Sequence, residues 1–179
     1  MPRRSAPSDP PVTGRRRGQL IPPPYTPTEW RLLTRLPGQV LVAAVRIRST
    51  EAPGTSDRAV ADGLAGLEGF AAGRAFDSDL VRAVVRAIYA EADEDFAVLE
   101  SLADRGAMRA ELFAACHAAV GLLAERTDLA DSAAYRQWVQ SIAARVCHAA
   151  GAAPPGFDAK IGVQQQRFLD ELGVVLGLA

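Results

Sequence analysis

A β-sheet needs at least two strands, and this sequence offers only one stretch that could form one. The run VLVAAVRIR (residues 40–48) is rich in β-branched residues, but no second run of that kind exists to pair with it. An unpaired strand leaves a row of backbone donors and acceptors unmet, so the same residues are read as helix. Alanine dominates an apolar fraction of 49%, while aromatics make up 6%. Small side chains suit closely approaching helices better than bulky sheet layers. The expected fold is all-α, and 179 residues suffice for a single domain around one core.

Punctuation along the chain divides it further. Residues 1–25 hold seven of the twelve prolines and almost no periodic apolar residues, so they are read as a disordered or extended tail. The domain, 26–179, opens at TPTEW. Thr26 is placed as an N-cap, Pro27 at the first helical position, and Glu29 completes a capping box. A short helix runs into Pro37-Gly38, after which 39–48 is a second helix or a kinked continuation. Ser56 or Asp57 caps 58–72, where Val60, Leu64, Leu67 and Ala71 recur at helical spacing before Gly73. Asp77 or Ser78 caps the next helix. Further helices are expected over 96–105, over 108–126 after Gly106, over 133–150 capped by Asp131 or Ser132, and over 163–177. The sum is a bundle of seven to eight helices. Helix, Pro/Gly loop and helix follow one another near both ends, which suggests pseudo-symmetric units.

Charge separates tail from domain. Residues 1–25 carry five arginines against one aspartate, a net +4, which leaves −5 on the other 154 residues of a chain whose total is −1. An acidic body argues against a nucleic-acid surface on the folded part. No run of roughly 18 apolar residues is present to span a bilayer, and Arg3-Arg4 is not followed by the apolar stretch of a secretion signal. The expected location is the cytoplasm. In the tail, Arg15, Arg16 and Arg17 can meet an acidic surface, and Pro22, Pro23, Pro24 and Tyr25 have the form of a proline-rich docking ligand. These seven residues are the candidate partner-binding set, and a protein is the expected partner. A homo-oligomer is also allowed, should Trp30, Trp138 and other large apolar residues face outward.

The dipeptide Cys-His occurs twice, at Cys116-His117 and Cys147-His148, and together these are the only cysteines and histidines. Zinc needs ligands that converge, whereas neighbours on a helix point about 100° apart. Helical phase puts Cys116 at the centre of an apolar stripe with Met108, Leu112, Val120 and Leu123. It puts Cys147 at the border of its own stripe, and both histidines at or near the surface. The spacings of a nucleophile elbow, a P-loop, a dinucleotide fingerprint, a C-x-x-C pair and an E-x-x-H motif are all absent, so no catalytic residue, enzyme activity or cofactor is assigned. Carboxylates at helix ends form an alternative cation-binding set: EADED (91–95), Asp128, Asp131 and Asp170-Glu171. A helical bundle holding a small molecule is a third reading.

The C-terminal run AARVCHAAG…GVQQQRFLDELGVVLGLA resembles the ending of the TerB-like tellurite-resistance family. Ala149-Ala150, Phe168-Leu169, Leu172 and Leu176-Gly177-Leu178 fit that family's outline. The family's Asp-Gly pair, between its last two helices, has no counterpart: Gly151 lacks an aspartate beside it, and Asp158 is the nearest carboxylate. The resemblance implies an all-α module of bacterial stress response or assembly rather than a catalyst. The composition, with Lys160 the only lysine, suits a GC-rich genome.

Overall fold

The computed structural model describes residues 24–51, 56–91, 105–149 and 162–178. They form six α-helices: α1 (Pro27–Glu51), α2 (Ser56–Ala72), α3 (Asp79–Glu91), α4 (Arg105–Arg126), α5 (Leu129–His148) and α6 (Val163–Val175). A 3-10 turn, Gly73–Ala75, links α2 to α3. Among the described residues there is no strand, as the missing partner for 40–48 required. Of the expected helix at 96–105, residues 96–104 lie outside them, and Arg105 is the first residue of α4. No helix is long and apolar enough to cross a membrane.

Helices α1 and α5 are the axis of the bundle. They pack on each other, and each also meets all four remaining helices. Trp30, Leu33, Leu36, Val40 and Ala44 of α1 face Tyr135, Trp138, Val139, Ile142 and Val146 of α5 in one core, which Phe168, Leu172 and Leu176 close from α6. Trp30 and Trp138 are the two largest fully buried side chains. They do not face outward, which corrects the reading of them as oligomer contacts: an indole contributes most when its large apolar surface is buried.

Of the two readings at Pro37, a second helix or a continuation, the continuation forms: α1 runs through the proline as one helix. A proline removes the amide that would bond the carbonyl four residues back, here that of Leu33. Tyr135 of α5 supplies the missing donor, its hydroxyl donating to the Leu33 carbonyl at 2.7 Å within the core. The orphan is satisfied from another helix, so the two expected segments merge.

Local signals place the other helix ends. Thr26 and Glu29 form the capping box: the Thr26 amide donates to Glu29 Oε2 at 2.7 Å and the Glu29 amide to Thr26 Oγ1 at 3.3 Å. Ser78 Oγ accepts from the Val81 amide at the start of α3. For α5 the cap is Asp128, not Asp131 or Ser132; its extended backbone lets one carboxylate oxygen take both the Ala130 and Asp131 amides at 2.9 Å. The helix therefore begins a turn earlier than expected. Gly106 lies inside α4 rather than before it. At the end of α6 the Gly177 amide bonds the Val174 carbonyl and the Leu178 amide that of Gly173, with Gly177 at φ +66°, a left-handed stop that glycine adopts without strain.

Candidate interaction surface

The periodic stripe that marks α2 in the sequence is not the face that the helix buries. Val60, Leu64 and Leu67 are 61%, 56% and 47% exposed, and Ala71 continues their line along the solvent side. The opposite side, carrying Asp62, Gly66, Gly69 and Gly73, is buried. Glycine favours this orientation, because Gly66, Gly69 and Gly73, set beside the buried Asp62 and Phe70, bring the backbone close against its neighbours. A Cβ at Gly69 would stand 3.3 Å from Cα of Ile142, and one at Gly73 would stand 2.6 Å from Trp138 Nε1 and 2.7 Å from Val85 Cγ2. The close approach lets Trp138 Nε1 donate to the Gly69 carbonyl at 3.0 Å.

An ion pair fixes the same orientation. Arg48 of α1 meets Asp62 of α2 at 2.6 Å, both side chains buried. The guanidinium also donates to the carbonyls of Val146 and Cys147, at 3.2 and 3.0 Å, where α5 ends; the Val146 carbonyl accepts the Ala149 amide as well. Turning α2 over to hide its leucines would strand a buried cation, whose desolvation costs several kcal/mol. Each half-exposed Val or Leu forgoes roughly 1 kcal/mol of burial instead. Beyond the stripe, Arg74 lies 4.4 Å from the ring centroid of Tyr89 on α3, a half-exposed aromatic that extends the surface.

The root of the tail lies at another corner. Of the seven residues in the docking set, Pro24 and Tyr25 are described; Arg15, Arg16, Arg17, Pro22 and Pro23 lie outside the described residues. Both described residues lean on the domain. Tyr25 shares a 2.5 Å hydrogen bond with Thr127 Oγ1, and its ring sits 6.0 Å from that of Trp30. Arg126 donates to the Pro24 carbonyl at 3.3 Å and pairs with Glu29 at 3.3 Å. Burial raises the Tyr25 phenol above its ordinary value, against the lowering effect of the Thr127 bond, and the carboxylates of Asp131, Asp128 and Glu29 add to the rise.

The Cys-His pairs divide as helical phase requires, with one correction. Cys116 is in the core and its thiol is pushed up to about 12 by burial, while His117 and His148 are exposed. Cys147 is buried, not at a border, because Arg48 and α2 cover the end of α5. Carboxylates are held by neighbours. Asp128 caps α5, Asp170 accepts from Gln166 at 2.8 Å, and Glu171 bonds Arg109 and Arg167, which hold its carboxyl below the usual range. Residues 92–95 of the acidic run lie outside the described residues. Among the described residues no three His, Cys, Asp or Glu side chains are grouped to hold a metal ion.

No family model matches the chain, and no curated protein or solved structure matches it.

Proposed function

We propose that this chain is a non-catalytic helical interaction module, cytoplasmic and TerB-like in architecture, which binds protein through the outer face of α2 and uses its basic, proline-rich tail as a docking arm. The observation that carries the reading is the two-sidedness of α2. A helix with apolar side chains on its solvent face, held there by a glycine face and a buried ion pair, offers a partner surface that the fold itself does not use. The tail adds charge opposite to that of the domain, and Pro24 and Tyr25 fix its point of departure. The helix pairs α1–α2 and α5–α6 are, in this reading, the two units of a repeated helix–loop–helix design, and stress response or assembly is the setting that the family resemblance adds.

A photo-crosslinking side chain at position 67 of the full-length chain, compared with one at exposed Glu125 on α4, tests this in the source cells. A discrete adduct from position 67 and none from position 125 is the expected result. No discrete adduct from position 67 overturns the reading.

A further inference from the structure

We propose that the occupant of the outer face of α2 is the same face of a second copy of this chain, packed antiparallel about a two-fold axis. This rests on the interaction reading above and names its partner.

Spacing is the first argument. Val60, Leu64, Leu67 and Ala71 are separated by four, three and four residues, a pattern that reads the same in both directions. A two-fold contact requires such self-complementarity, since residue i must meet j while j meets i. Setting Leu64 against Leu67 of the partner subunit also sets Val60 against Ala71 of the partner subunit, so the largest side chains meet at the centre and a larger one meets a smaller one at each end.

Charge is the second. Between residues 60 and 71 the solvent face of α2 carries one charge, Glu68, because Asp62 is buried against Arg48. In the antiparallel register Glu68 falls opposite Gly63 of the partner subunit rather than opposite itself. Space around Gly63 is open, with no atom within 4 Å of a Cβ placed there, so the carboxylate stem has room and no like charge faces it. A parallel pairing would set Glu68 against its own copy.

Size is the third. Three half-exposed large side chains and Ala71, with a rim of Glu68, Arg74 and Tyr89, make a contact of seven residues a side, against the roughly 20–30 of a standard specific interface. The association is therefore weak and reversible, and the chain exchanges between monomer and dimer with concentration.

Cys116 and Cys147 are buried, so a cysteine introduced on α2 is the accessible thiol of the folded chain. Leu64→Cys and Leu67→Cys are made separately in the full-length protein and oxidised alone and as an equal mixture. The antiparallel register brings position 64 to position 67 of the partner subunit. Like positions are then offset by about 4.5 Å along the helix, which together with the lateral gap between the two helices exceeds the Cβ separation of a disulfide, about 3.5–4.5 Å. Several-fold more covalent dimer in the mixture than in either variant alone is the expected result. Dominant cross-linking of Leu64→Cys to itself overturns the register, and absence of cross-linking overturns the proposal. Sedimentation supplies the second measurement: the average mass of the unmodified chain rises with concentration above the 19.0 kDa of one copy, and Leu64→Glu holds it there while helix content is unchanged. A chain that stays monomeric throughout overturns self-association. A discrete photo-adduct at position 67 whose mass is not that of two chains leaves the interaction reading standing and removes only this partner.

Discussion

Single side chains carry much of what keeps this bundle together, and the Tyr135 hydroxyl is the clearest case. It donates to the Leu33 carbonyl that Pro37 leaves without a helical partner. Tyr135→Phe strands that acceptor in the core, and a loss of about 1–3 kcal/mol is expected in a denaturant titration. Burial holds the phenol well above its ordinary value. Its contribution is therefore complete below the unfolded value of about 10 and is lost as pH rises above that toward the folded value. The alkaline fall in stability should be smaller in Tyr135→Phe, read as the unfolding midpoint against pH. Thiols give a second check: neither Cys116 nor Cys147 should react with a disulfide reagent until the chain unfolds, since both are buried and the Cys116 thiol is at about 12. The capping box at Thr26 and Glu29 was legible from four residues because every group in it is local. The Tyr135 bond was not, because its partners lie 102 residues apart.

Among the elements, α2 shows why periodicity alone misassigns a face. Val60, Leu64, Leu67 and Ala71 mark a helix, but so do Gly66, Gly69 and Gly73 on the other side, and a glycine row is silent in any count of apolar residues. Its meaning lies in the neighbours, Ile142, Val85 and Trp138, which fill the space where side chains would be. Gly73→Ala should therefore destabilise by about 1–3 kcal/mol, because the new methyl meets an indole and a valine that are themselves buried. Asp62→Ala should cost more, about 3–5 kcal/mol, by leaving Arg48 a buried cation without its carboxylate. Thermal unfolding of the two variants beside Leu64→Ala, on the exposed face, orders the three losses. The end of α5 teaches the same lesson: Cys147 looked marginal by phase because Arg48, which helps cover it, comes from another helix.

At the scale of the whole molecule, α1 and α5 make the fold one unit. Trp30 and Trp138 sit in the same core, one on each axial helix. Tryptophan fluorescence and far-ultraviolet circular dichroism should therefore report coincident unfolding transitions; separated midpoints would mean that the axial pair comes apart in steps. The all-α class was readable because a sheet lacked a second strand. Which helices form the axis was not, because every amphipathic segment presents a similar stripe and only tertiary contacts rank them. The proline in α1 also sets an order of events during synthesis. α1 leaves the ribosome before α5, and the donor for its Leu33 carbonyl is 102 residues behind, an interval of roughly 5–20 s at ordinary elongation rates. Through that interval the tryptophan, leucines and valines of α1 lack their later partners, so the nascent chain carries them uncovered by α5 until that helix has emerged.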